Sequence, residues 1–243
     1  MKPLHYLFCC LVCSTMLARA WATEFVTADV SDEVYAQLLA LNKKGETIKN
    51  MAFDAKGNWA ILVGENGYWT SKNVPEDAYQ KLVDLNKKKS TIKSINFTGE
   101  DGWAIIYDKN GFEYHNIPES AVEELDGLNK KEATIKTVAF APKGGWVVLY
   151  GDYGFSGKDV PDEALYAKLK ALGENKQKLK WLAFDDKGEW VLLCDKNGYW
   201  GSKNVNNDVF DKLKELNKQG ATLTSLNFVP GKGWVIFFEP GKK

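Results

Sequence analysis

Three hydrophobic periods follow one another in the stretch from Val74 to Asn116. Ala78, Tyr79, Leu82, Val83 and Leu85 fall at helical spacing, after Pro75, Glu76 and Asp77 and before Lys87, Lys88 and Lys89. Proline and acids at one end with bases at the other predict a helix of about fourteen residues, too short to be stable unless its apolar face is packed. Residues 91–97 (TIKSINF) mix polar and apolar positions and predict a strand. After a turn at Gly99–Gly102, Trp103 to Tyr107 (WAIIY) is apolar at five consecutive positions. A strand with one wet face would alternate, so this one is covered on both sides. Asn110-Gly111 then predicts a tight hairpin, since both residues tolerate positive φ, into a third strand over residues 111–116.

The same pattern fills the rest of the chain. Trp59, Trp103, Trp146, Trp190 and Trp234 open the apolar runs at intervals of 43 or 44 residues. Ile48, Ile92, Ile135, Leu179 and Leu223, and then Phe53, Phe97, Phe140, Phe184 and Phe228, repeat in step with them. A fixed period of this length means a solenoid, a propeller or an array. The ends decide which. The fifth copy stops at Lys243 without a third strand, while residues 24–29 (EFVTAD) stand before the first helix, where GYWTSKN (67–73) stands before the second. A closed ring uses such an N-terminal strand to complete its last unit and remove a sheet edge; an open stack has no need of it.

The expected fold is therefore mainly β with helices (α+β), a closed five-bladed ring of 44-residue repeats. Each repeat is a three-stranded antiparallel meander plus one helix. The unit length, copy number and closure resemble five-bladed β-propellers of the tachylectin kind, with a helix in place of the outermost strand. The Trp and Asn-Gly pattern also resembles tandem repeats of uncharacterised exported bacterial proteins. A second resemblance is to the pentein five-fold α/β propeller, whose units also hold three strands and a helix; the short hairpins favour an antiparallel blade.

Residues 1–22 read as a signal peptide, with Lys2, a mainly apolar stretch from Leu4 to Leu17, and small residues at Ala18, Ala20 and Ala22 for cleavage. That stretch is too short to span a bilayer, and no later one approaches the roughly twenty apolar residues required. Secretion or export to the periplasm is the expectation, with 23–243 as one domain. Past residue 22 the chain keeps 30 lysines, no arginine and 32 carboxylates, a net charge of −2. A nucleic-acid partner calls for a basic excess, often with arginine, and neither is there. Cys194 is the single cysteine of that domain, so no internal disulfide can form.

Candidate chemistry is sparse. The pentein resemblance implies a nucleophilic cysteine with histidine and carboxylate partners. Cys194, however, ends an apolar run where other repeats have Val63, Tyr107, Tyr150 and Phe238, and so reads as an inert buried thiol. No enzyme activity, cofactor or metal is expected. Asp108-Lys109-Asn110-Gly111 and Asp195-Lys196-Asn197-Gly198 lack the distal ligands of a calcium loop. The Asn96 sequon lies inside a strand and is expected to be unmodified. What remains is the third-strand set Tyr68, Trp69, Lys72, Asn73, Phe112, Tyr114, Tyr199, Trp200, Lys203 and Asn204. Aromatic faces beside amide and ammonium donors suit a sugar, and repetition around a ring adds avidity. The competing reading packs these rings beneath the helices. The expected function is a non-enzymatic binding module for carbohydrate or, alternatively, a protein-interaction or structural domain.

Overall fold

The computed structural model describes residues 23–231 and 233–241, so the signal-peptide reading of 1–22 lies outside the described residues. Among the described residues five α-helices punctuate the chain: α1 (Asp32–Lys44), α2 (Glu76–Lys88), α3 (Glu119–Lys130), α4 (Glu163–Glu174) and α5 (Asn207–Lys218). Each is followed by an inner strand: β2 (Ile48–Phe53), β5 (Ile92–Phe97), β8 (Ile135–Phe140), β11 (Leu179–Phe184) and β14 (Thr222–Phe228). The apolar runs form the middle strands β3 (Trp59–Val63), β6 (Trp103–Tyr107), β9 (Trp146–Tyr150), β12 (Trp190–Cys194) and β15 (Trp234–Glu239). Outer strands are β4 (Gly67–Thr70), β7 (Gly111–His115), β10 (Gly154–Lys158), β13 (Gly198–Gly201) and β1 (Glu24–Ala28).

Each of the five sheets has three strands, with the middle strand antiparallel to both neighbours. This is the antiparallel meander that the short hairpins favour over the pentein alternative. β1 pairs antiparallel with β15, from Glu24 opposite Phe238 to Ala28 opposite Trp234, so the N-terminal strand completes the fifth blade. β14 of blade 5 also lies beside β2 of blade 1, which closes the ring.

The core is five equivalent layers, one between each pair of blades. Between blades 1 and 2, Ala60 and Leu62 meet Ile95, Trp103 and Ile105 beneath Ala78, Leu82 and Leu85 of α2. Between blades 5 and 1, Val235 and Phe237 meet Met51, Trp59 and Ile61 beneath Val34, Leu38 and Leu41 of α1. The middle strands are buried at nearly every position, because both faces belong to such layers. The helices roof the layers where a fourth strand would otherwise pair.

That roof leaves the inner edge of each sheet unpaired, and side chains of the preceding blade occupy it. A register shift in every inner strand places one residue on a bulge: Lys49, Lys93, Lys136, Lys180 and, in blade 5, Thr224. Lys49 Nζ donates to the carbonyls of Glu65 (3.0 Å) and Ile92 (2.8 Å). Lys93 Nζ donates likewise to Lys109 (2.8 Å) and Ile135 (2.9 Å). Lys136 reaches the Leu179 carbonyl at 2.7 Å, and Lys180 that of Leu223. Burial pushes all four ammoniums below the usual lysine range. The next position continues the stitching: Asn50 Nδ2 donates to Ile95 O, Trp181 Nε1 to Leu226 O, and Ser225 Oγ to Lys49 O across the closure.

One expectation needs correcting. The hairpins into the outer strands are three-residue loops, since Val63 pairs with Gly67 and Tyr107 with Gly111. Positive φ falls on the first loop residue, Gly64 (56°), Asp108 (48°), Gly151 (53°) or Asp195 (49°), and not on the Asn-Gly pair. The glycine is demanded by packing: a Cβ on Gly67 would sit 2.7 Å from Val63 Cγ2, and one on Gly111 2.5 Å from the Tyr107 ring. The asparagine ties the loop to a helix, with the carbonyls of Asn66, Asn110 and Asn197 accepting from Asn86, Asn129 and Asn217 at 3.0–3.1 Å.

Lys93→Met keeps the length of the side chain and removes the inter-blade hydrogen bond to Ile135 together with the bond to Lys109 of its own blade. Urea unfolding should show a loss of about 1–3 kcal/mol; a change below about 0.5 kcal/mol would show that the lysine does not staple the blades.

Candidate functional site

The outer strands carry the residues singled out for binding, and the structure divides them by face. Tyr68 and Tyr199 turn toward the helix that follows. Tyr68 meets Tyr79 of α2 edge-on, with centroids 6.1 Å apart, and Tyr199 meets Phe210 of α5 at 6.3 Å. Phe112 packs into the layer beneath α3. Phe25 and Phe155 take the corresponding place in the other two blades, so this position is aromatic throughout and anchors the outer strand to the core. Burial raises the phenol pKa of Tyr68 and of Tyr199.

The next residue along points the other way. Trp69 and Trp200 are 43% and 44% exposed. Each lies below a lysine of the preceding helix, with Lys44 Nζ 5.4 Å from the Trp69 centroid and Lys168 Nζ 3.4 Å from that of Trp200. Such cation–π contacts hold an indole in place while leaving part of its face in solvent. The same strand position holds Val26, Glu113 and Ser156 in the other blades. Tyr114 is exposed and stacks on Phe112 at 5.9 Å. Lys72, Asn73, Lys203 and Asn204 are exposed beside the strand ends, and Asn204 Nδ2 donates to Glu189 Oε1 at 3.0 Å.

The serines of the two Ser-Lys-Asn stretches are structural. Ser71 Oγ accepts from Trp59 N at 3.0 Å and Ser202 Oγ from Trp190 N at 2.8 Å, tying the outer strand to the start of the middle one. Trp69, Tyr114 and Trp200 sit on blades 1, 2 and 4, so each is a local feature and no single pocket unites them. Sequence reasoning passed over Lys44 and Lys168. The signal for the first was the basic end of α1; the second stands inside α4 with no local mark of its role.

Cys194 and His115 lie on different blades. Cys194 is buried at the end of β12, where burial pushes its thiol up to about 11. His115 Nδ1 is 3.2 Å from Asp77 Oδ2, and its ring stacks on Trp103. Asn96 Nδ2 donates to Thr137 Oγ1 of the next blade at 3.1 Å. Among the described residues no group of three or more His, Cys, Asp or Glu converges as metal ligands would. At one axial mouth Phe53, Phe97, Phe140, Phe184 and Phe228 surround a cavity of about 60 Å3, room for water and little else.

No protein-family model matches the chain, and no curated protein matches it. Among solved structures it is similar to the β-propeller domain of Cps50 (Swd1) from Myceliophteria thermophila, at 9% identity over 74% of this chain and 67% of that one, with a TM-score of 0.33. No described helix is long and apolar enough to cross a membrane.

Two outcomes follow. Trp69→Ala and Trp200→Ala should each change unfolding free energy by less than about 1 kcal/mol, while Trp103→Ala, fully buried, should lose about 3–5 kcal/mol; comparable losses at all three would place the outer indoles in the core. For Cys194, the folded thiol titrates near 11 and the ordinary value is near 9. The unfolded chain therefore releases its proton first, and stability present below pH 9 is lost between about 9 and 11. Over that range the melting temperature of the native chain should fall more steeply than that of Cys194→Ser, and parallel curves would refute the assignment.

Proposed function

We propose that this protein is a secreted, non-enzymatic binding module that holds carbohydrate against the outer rim of the ring. The observation that carries the reading is the pair of exposed indoles, Trp69 and Trp200, each followed by an exposed Lys-Asn. An indole fixed by a cation and half in solvent presents a flat apolar face that a ligand can cover. A sugar offers one apolar face for the indole and a fringe of hydroxyls for Lys72, Asn73, Lys203 and Asn204. Lys44 and Lys168, already poised over the rings, supply further donors. Two such stations on one rigid ring favour a branched or surface-bound glycan through multivalency.

A second reading, a protein-interaction or structural role, draws on a different observation. Tyr35, Tyr79, Tyr114 and Tyr153 are also exposed, which spreads aromatic surface over several blades. Tyrosine is a usual anchor of protein interfaces.

A glycan array probed with the full chain and with Trp69→Ala and Trp200→Ala separates the two. The carbohydrate reading expects saturable binding that both variants lose while their circular dichroism is unchanged. Absence of binding to every glycan would leave the protein-interaction reading as the one to pursue.

A further inference from the structure

The helix N-caps around the ring are Ser31, Pro75, Pro118, Asp162 and Asn206, and in the fourth repeat Pro161 stands one residue earlier. Pro161 is wedged against the turn of its own blade, so closely that a Cβ on Gly188 would come within 2.7 Å of its Cγ. In the fifth repeat neither position is proline, the chain reading Val205-Asn206, and between blades 4 and 5 a cavity of about 270 Å3 opens. Its walls include Lys187 and Asp185 from the β11–β12 turn, Asn204 and Asn206 at the start of α5, and Phe228 and Trp234.

The middle-strand tryptophans give this cavity its chemistry. Trp146 Nε1 donates to Ser120 Oγ of α3 at 3.0 Å, and Trp190 Nε1 to Asp162 Oδ2, the N-cap of α4, at 2.7 Å. The repeat register brings Trp234 to the start of α5, where it lines the cavity together with Asn206. There it finds no acceptor: Asn206 Oδ1 already receives Asp208 N at 3.0 Å, and Trp234, only 4% exposed, keeps an unpartnered Nε1. A buried donor without an acceptor costs free energy that a bound oxygen would recover. The site also collects positive potential, from the α5 N-terminus and from the Lys187 ammonium. The opposing charges are Asp208 in the first turn of α5, Glu189, whose Oε1 accepts from Asn204, and Asp185, whose Oδ1 is engaged by the backbone N–H groups of Lys187 (2.9 Å) and Glu189 (2.8 Å).

We propose that the cavity between blades 4 and 5 binds a small carboxylate, its oxygens taken by the Trp234 indole N–H and the Asn206 amide at the α5 N-terminus, with Lys187 at the rim. Phe228 lines the apolar side for the body of the ligand. The site is independent of the exposed indoles on the outer strands. Trp103 Nε1 is also buried without a partner, but the helix of its blade is capped by Pro75, whereas at the interface of blades 4 and 5 the orphaned indole and the Asn206 amide line one cavity.

The test is an NMR titration of the full chain with acetate, the minimal carboxylate, and with glucuronate, using glucose as the neutral control and following the assigned Trp234 indole resonance. Both carboxylates should shift it saturably, with a dissociation constant on the order of 1 mM, and glucose should not. Asn206→Pro installs the N-cap that α2 and α3 carry, removes the amide and should abolish the shift while the fold is kept. Lys187→Ala, on an exposed turn, should weaken binding about 2- to 5-fold. Trp200→Ala should leave it unchanged, which separates this site from the rim. An unmoved resonance, an equal response to glucose, or undiminished affinity in Lys187→Ala would each overturn the proposal, whether or not the Asn206→Pro chain folds.

Discussion

A sheet edge must find hydrogen-bond partners, and the way this ring satisfies its inner edges governs much else in it. Each blade is three strands wide, and the innermost strand pairs on one side only. Its free carbonyls cannot face an apolar layer unpaired without a cost near that of a lost hydrogen bond each. The chain resolves this with a bulge at the second residue of the strand. The extra residue breaks the alternation of faces and, in four blades, sends a lysine to one carbonyl of the next blade. Buried lysine is costly, and the lowered pKa values record that cost. A long chain with three donors nevertheless reaches two carbonyls at once, which no neutral side chain of that length matches.

Closing the inner edges with side chains frees the outer edge for a different use. The helix packs its leucines over the layer between two blades, in place of a fourth strand, so the outer strand keeps one face against the following helix and one beside the preceding helix. Alternation along four or five residues then sorts aromatics strictly. Tyr68 and Tyr199 are drawn into the core, while Trp69 and Trp200, one residue on, are turned out. Packing fixes the first position in every blade and leaves the second open to vary.

Much of the architecture was legible because it repeats. The tryptophan register, the five-residue apolar runs and the exchange of a strand between the termini all reached the structure as read. What was not legible depends on contacts between units. The lysines at 49, 93, 136 and 180 read as ordinary polar positions of a strand, since nothing local marks a bulge whose partner carbonyl lies some 43 residues away. The Asn-Gly pairs were located correctly and explained wrongly. Their glycines avoid the side chain opposite and their asparagines bind the helix, while the backbone reversal is made by Gly64 or Asp108. The third-strand aromatics could be found but not sorted, because period-two alternation shows which residues share a face and not which face is wet.

In a ring of near-identical units, positions that every repeat keeps are those the fold demands, and the exceptions mark where a single blade does something of its own. The buried helix positions Val34, Ala78, Ala121, Leu165 and Val209 stay apolar in all five repeats. The Trp69 position does not: it reads Val26, Trp69, Glu113, Ser156 and Trp200 around the ring, a variation no shared core could tolerate and one an outer surface permits. The helix N-cap varies in the same manner, reading Ser31, Pro75, Pro118, Asp162 and Asn206 around the ring, and at Asn206 a cavity opens between two blades. Symmetry fixes the scaffold, and ligand chemistry in such a molecule belongs where the symmetry fails.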